Sequence, residues 1–178
     1  MTRYSEHTGY RWTSGLLLAF AVFMMVGVSL VGYYVHYQRQ LGPSQPIPFS
    51  HRFHNTEKKI SCVMCHRNVF TSANAGIPPL ETCMLCHRRI IIHYPYIETL
   101  RNAYFSGEPV RWVRVAWLPD FVYFDHMIHT RQGFDCGKCH GDVAQMDRIK
   151  PAHALKMGFC IQCHRDENAT HDCLACHR

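Results

Sequence analysis

From Thr13 to Val35 no charged side chain interrupts the chain, and nowhere later do apolar positions run on so long. Gly15 to Val35, GLLLAFAVFMMVGVSLVGYYV, is 21 residues of almost unbroken apolar sequence. At about 1.5 Å per residue, one helix of that length crosses the ~30 Å hydrocarbon core of a bilayer. Tyr33, Tyr34 and Tyr37 at its far end and Trp12 at its near end suit the two membrane interfaces. The run is too long for the apolar stretch of a cleavable signal peptide, and no small-residue cleavage site follows it. It therefore reads as a retained anchor. Arg3 and Arg11 before the run, against Arg39 after it, give only a slight bias toward a cytoplasmic N-terminus.

Behind the anchor no long helical or alternating pattern recurs. Leu41 to Pro48, LGPSQPIP, carries three prolines and predicts an extended stalk. Pro95 to Phe105 has helix punctuation, with proline at its start, Gly107 just past its end and Pro109 beyond. Val110 to Ala116, VRWVRVA, alternates as a short strand does, and a second helix is expected over Pro151 to His164. The fold class is thus mostly α and irregular: one transmembrane helix followed by a head with little regular structure. The expected boundaries are 1–12 for a cytoplasmic segment, 13–37 for the membrane helix, 38–48 for the stalk and 49–178 for the head.

The cysteines change the picture. All ten belong to Cys-x-x-Cys-His: Cys62/Cys65/His66, Cys83/Cys86/His87, Cys136/Cys139/His140, Cys160/Cys163/His164 and Cys173/Cys176/His177. This is the attachment sequence of a c-type haem, in which both thiols form thioethers and the adjacent histidine is the proximal iron ligand. Paired Cys-x-x-Cys also suits zinc or a redox dithiol, but neither needs a histidine directly after every pair. Five c-type haems are expected. The 141 residues from 38 to 178 then leave roughly 28 per haem, too few for a side-chain core, so the porphyrins must supply the core. Thioethers form on the far side of the cytoplasmic membrane, which places the head on the periplasmic side.

The head is also internally repeated. Phe49 to His66, FSHRFHNTEKKISCVMCH, returns as Phe124 to His140, FDHMIHTRQGFDCGKCH, and corresponding ligand positions are offset by 74 to 77 residues. The modules are 49–90 and 122–165, each with two motifs, and 166–178 adds the fifth. Each module contributes one His-x-x-His pair: His51 and His54, then His126 and His129. Residues three apart on a helical turn leave one face and can serve two irons. These four of the fourteen histidines are the expected distal ligands. A fifth distal ligand lies outside the repeat. Met146 and Met157 are the leading candidates, since a thioether would raise that haem's potential, and His153, His93 and His171 are the others.

The formal charge of +6 is offset by two propionates per haem. Arg67, Arg88, Arg89, Lys138, Arg165 and Arg178, close to the motifs, are expected propionate partners. No basic run with interleaved aromatics suggests nucleic acid. Trp112, Trp117, Phe121, Tyr123 and Phe124 are expected to pack on porphyrin faces rather than line a quinone pocket.

FSHRFH, WVRVAWLPDFVYFDHMIH, CGKCHGDVAQM and KMGFCIQCHR together resemble the membrane-anchored pentahaem cytochrome subunit of alternative complex III, a bacterial quinol:electron-acceptor oxidoreductase. The likeness covers residues 13–178. It implies an electron-carrier subunit with no catalytic residues of its own. The implied partners are an iron–sulfur/molybdopterin-type subunit, polytopic membrane subunits that hold the quinol site, and a monohaem cytochrome. It carries the distal roles onto His51, His54, His126 and His129. The alternative is a stand-alone quinol dehydrogenase of the tetrahaem nitrite/nitrate respiration type. Those proteins have four haems and a Met two residues after the first motif's histidine, where this chain has Asn68. A haem enzyme is disfavoured because all five motifs keep their histidine.

Overall fold

A computed structural model describes residues 6–177, with side chains from residue 13 onward apart from those of residues 39 and 40. The expectations for Arg3, Arg11, Trp12, Arg39 and Arg178, and for most of the 1–12 segment, lie outside the described residues. The chain forms two compact units that divide after Leu41. The first is a single helix, α1 (Glu6–Gln40). Its stretch Thr13–Gln38, 26 residues, is long and apolar enough to cross a membrane, and none of it is buried. Tyr33 and Tyr37, one helical turn apart, stack with ring centroids 6.5 Å apart at the end where an interfacial belt is expected.

The second unit is built of short helices: α2 (Cys62–Cys65), α3 (Leu80–His87), α4 (Pro95–Ser106), α5 (His126–Arg131), α6 (Cys136–His140), α7 (Met157–Asp166) and α8 (Cys173–Cys176). Five of these seven carry a Cys-x-x-Cys. The reason is geometric, since three-residue spacing puts both thiols on one face of a helical turn. Two of the helices start on an aspartate directly before the first cysteine. Asp135 accepts from the Gly137 amide and Asp172 from the Leu174 amide, satisfying N–H groups the turn leaves open. Among the described residues there are no strands, only an isolated antiparallel bridge between Val122 and His177.

α4 forms where its punctuation predicts, with Pro95 in its first turn and Gly107 closing it at φ 73°. It packs on α3, and Arg101 donates to the carbonyls of His87 (3.3 Å) and Arg88 (3.1 Å) at the C-terminus of α3. Ile97 and Leu100 of α4 form with Ile47 the one small apolar cluster, on which Leu80, Cys83, Val110 and Trp112 pack. Trp112 therefore belongs to this cluster. With Met84, those three are the only buried apolar side chains among the described residues. So thin a core cannot stabilise a head of this size by side-chain burial alone.

Three stretches depart from sequence expectation. The 38–48 stretch is helical to Gln40; from Gly42 it is extended, and Gly42 and Ile47 are buried in the head. Val110 to Ala116 forms no strand: it turns tightly at its start, where Trp112 N–H donates to the Val110 carbonyl (3.1 Å), and bends at Ala116. Instead, the Gln45 amide pairs with it as a strand would, donating to the Val113 carbonyl (2.9 Å) and accepting from its N–H (2.8 Å). The helix expected from Pro151 begins only at Met157, because Lys156 is still extended (ψ 160°).

Candidate functional site

The two His-x-x-His pairs sit in nearly identical surroundings. Phe49 meets the His51 ring edge-on (4.8 Å, 83°) and stacks on His54 (4.3 Å, 21°). Phe124 meets His126 edge-on (4.8 Å, 90°) and stacks on His129 (4.4 Å, 29°). One phenyl ring thus fixes both imidazoles of its pair. In each copy the residue before the first histidine also serves the turn. The Ser50 hydroxyl accepts from Phe53 N–H, and the Asp125 carboxylate accepts from Met127 and Ile128 N–H. The backbones differ, because the first pair opens a π-helical turn, Arg52–Glu57, whereas the second lies on the α-helix α5. The wider π turn comes with the longer loop, since seven residues separate His54 from Cys62 and six separate His129 from Cys136.

Opposite three of these rings stands the histidine of a motif. Ring centroids are 6.1 Å apart for His54 and His87, 6.3 Å for His126 and His140, and 6.1 Å for His129 and His164. His126 and His140 are parallel to within 2°. His51 lies within electrostatic reach of His66, the remaining proximal histidine of the modules. Two imidazoles bound to one metal from opposite sides, with bonds of about 2 Å each, have ring centres ~6 Å apart. Direct ring contact would bring them closer, so the spacing fits a metal between each pair.

The other ring nitrogens support this. Nδ1–H of His54 donates to the Ser50 carbonyl (2.8 Å), His66 to Gly76 (3.2 Å), His126 to Ala73 (2.9 Å) and His129 to Asp125 (2.7 Å). His164 donates likewise to Thr170. A carbonyl on Nδ1 fixes the tautomer and leaves Nε2 with a lone pair, which is the arrangement of metal-binding histidines. His51 departs from this pattern, its buried Nδ1 having no carbonyl partner. Burial holds His51 down to about 4, and lowers His87 and His140, so these rings stay neutral and able to donate to a metal. Among the described residues no three or more His, Cys, Asp or Glu side chains converge as a metal site of protein ligands alone. Haem iron needs only an axial pair of protein ligands, which the opposed rings can supply.

The remaining predicted residues are dispersed. His177 faces Phe121 (5.9 Å between ring centroids) rather than an imidazole. The Met146 methyl lies over Gly141, beside the third motif, and the Met146 carbonyl accepts from Arg52 N–H. Met157 opens α7 three residues before Cys160 and is 65% exposed. His153 stacks on Phe159. Of the cations near the motifs, Arg88 donates to the Tyr104 hydroxyl (3.1 Å) and Lys138 is ion-paired with Glu167. Burial raises the pKa of Cys65, Cys83, Cys136, Cys139 and Cys160.

Sequence reasoning did not single out Phe49, Ser50 and Asp125 as supports for the histidines, although Phe-x-His-x-x-His in both modules was the available signal. Replacing Asp125 by Ala should destabilise α5 by about 1 kcal/mol, the cost of a lost N-cap, while leaving haem attachment intact. Thermal melting of the holoprotein measures it, and an unchanged melting temperature would remove the cap from the account.

Residues 122–178 match the family described as cytochrome c7 and related cytochrome c. The chain is also similar to the menaquinone reductase multihaem cytochrome c subunit of Nitratidesulfovibrio vulgaris. The two are 30% identical over 162 residues, covering 75% of this chain and 77% of that protein.

Proposed function

The chain belongs to the multihaem cytochrome c family that includes the menaquinone reductase subunit, and on that premise we propose that it is the pentahaem electron-transfer subunit of a membrane quinone oxidoreductase. The observation that carries this reading is the set of opposed histidine rings about 6 Å apart, each ending a haem-attachment motif on one side. Covalently held haem supplies reversible one-electron transfer at iron. The chain's own residues supply the rest. The ten motif cysteines would hold the macrocycles, and His66, His87, His140, His164 and His177 would bind from the proximal side. His51, His54, His126 and His129 close the opposite side for the first, second, third and fourth motifs in turn. Met146, Met157 or His153 would complete the fifth. With an imidazole on either side of the first four positions, haems held there would offer no substrate site at iron, and the chain would carry electrons and leave catalysis to its partners.

α1 anchors the head in the cytoplasmic membrane with the haems on the periplasmic side. The partners are the iron–sulfur/molybdopterin-type, polytopic and monohaem cytochrome subunits of an alternative-complex-III-like assembly, and the terminal acceptor is periplasmic. The relative's name sets electrons moving into menaquinone, whereas quinol oxidation runs them outward. A row of carriers conducts either way, and the partners' potentials decide the direction.

The test is on detergent-solubilised complex. Five haems per chain by pyridine haemochrome, and haem reduction by added quinol only while the other subunits are bound, are expected. Haem reduction by quinol in the isolated chain would favour a stand-alone dehydrogenase instead. The anchor is checked separately. The protein should stay with membranes through carbonate washing, and a mature N-terminus beyond residue 35 would overturn it.

A further inference from the structure

We infer that the chain sets its five attachment motifs, and the haems they hold, in one unbranched row in the order second, first, third, fourth, fifth. This rests on the five-haem reading above and adds to it which haems are neighbours and which two are the ends.

Contacts between motifs give the order. His54, three residues after the His51 that lies by His66 of the first motif, stands opposite His87 of the second at 6.1 Å, which sets these two motifs side by side, and Cys65 of the first lies within electrostatic reach of Cys83 and Cys86 of the second. Cys62 of the first motif lies within electrostatic reach of Cys136 of the third, and the proximal rings His66 and His140 are within reach of one another. His126 opposite His140 (6.3 Å) and His129 opposite His164 (6.1 Å), on one helical turn, set the third and fourth motifs side by side, with Cys139 within electrostatic reach of Cys160 and Cys163, and Cys160 within reach of Cys176 of the fifth. Each thiol becomes the edge of a haem, so adjacent thiols mean adjacent haem edges.

The centre of the row is fixed independently by backbone contacts between the modules. After the first motif comes the 3-10 turn Arg67–Phe70, and after the third comes the 3-10 turn Val143–Gln145. The histidine helix of each module packs on the turn that belongs to the other. Thr130 of α5 donates to the Val69 carbonyl (2.8 Å), and His126 donates to Ala73 through both its backbone N–H and its ring. Reciprocally, Thr56 donates to the Ala144 carbonyl (2.7 Å) and Arg52 N–H to that of Met146 (3.1 Å). A contact in which the same surface of each copy meets the other is two-fold in character. It places the first motif of each module at the centre, and the opposed pairs His54–His87 and His129–His164 attach the second motif of each beside its own first, giving second–first–third–fourth. The fifth motif joins beyond, held by the Tyr123 N–H to Cys176 carbonyl bond and the Val122–His177 bridge. An electron crossing the chain then passes the first and third haems, and only the second and fifth are ends.

Iron positions in the intact holocomplex, from electron cryomicroscopy, decide it. The four shortest iron–iron separations should be second–first, first–third, third–fourth and fourth–fifth, and any other set overturns the row. A Cys173→Ala/Cys176→Ala chain, which keeps four haems, gives a solution test. Its redox titration and low-spin electron paramagnetic resonance signals should change at the fourth haem alone, and a change centred on the first or second overturns the row. A wild-type count other than five haems would strike the functional reading itself, whereas five haems with other neighbours would strike only the order.

Discussion

Replacing His126 with alanine is expected to turn one low-spin haem high-spin and open it to carbon monoxide, with the haem count per chain unchanged. Attachment depends on Cys136, Cys139 and His140, none of which the substitution touches. The ring that is lost is parallel to His140 at 6.3 Å and is the proposed distal ligand of that position. Its Nδ1–H bond to Ala73 goes too, at a cost of about 1 kcal/mol, while the backbone N–H of residue 126 still reaches the same carbonyl at 3.1 Å. The fold should survive with a changed iron. His126→Met is the informative companion, because a thioether keeps six-coordination and raises the potential of that one haem. His129→Ala should act in the same way on the fourth motif's haem, opposite His164. A low-spin spectrum unaltered in His126→Ala, with no gain in carbon monoxide binding over the wild type, would reduce the ring to packing and dissolve the assignment of all four module histidines.

What the sequence disclosed, and what it withheld, divides along the physical origin of each feature. Cys-x-x-Cys-His is a covalent requirement, so its residues must be contiguous and are legible at once. α4 was legible because proline and glycine mark helix ends through their own backbone preferences, independent of packing. The mostly helical and irregular class followed from the motifs outnumbering any periodic apolar pattern. The partners of the histidine Nδ1 atoms were not legible, because Ala73, Gly76 and Thr170 offer only backbone carbonyls, which every residue possesses. The π turn at Arg52–Glu57 was hidden for a similar reason: π-helices have no strong residue signature. Val110 to Ala116 alternates as a strand does, yet a strand needs a backbone neighbour, and here a single side chain, Gln45, takes that role. The reciprocal packing of the modules had one faint trace. Directly after the first and third motifs, RNV (Arg67–Val69) and GDV (Gly141–Val143) share a polar residue followed by valine, in or next to the 3-10 turns that the opposite module docks on.

Gly42→Ala should be the most damaging small substitution in the head, although Gly42 lies far along the chain from any haem motif. Gly42 is buried, and a Cβ there would lie 1.5 Å from the Ile149 carbonyl oxygen and 2.4 Å from its carbon. These are backbone atoms, so no rotamer change relieves the clash and one segment must move. Overpacking of this kind costs about 3 kcal/mol, equivalent to roughly 10 °C in melting temperature for a head of this size. The displacement would not stay local. Segment 146–150 is tied to the first module's histidine turn through Arg52 N–H to the Met146 carbonyl, and through Ser50 and Arg52 to Asp147. It is tied to the extended entry segment through Arg148 and Ser44 (3.0 Å). Moving it pulls on the elements that orient His51 and His54. The expected signature is therefore a lower melting temperature together with broadened low-spin signals from the first and second haems, those of the fourth staying sharp. Gly107→Ala is the control, since a Cβ there meets open space and only the positive φ of 73° is penalised, at about 1 kcal/mol. If Gly42→Ala melts no lower than Gly107→Ala, the entry segment does not pack on Ile149, and the coupling from that segment to the first pair of distal histidines fails with it.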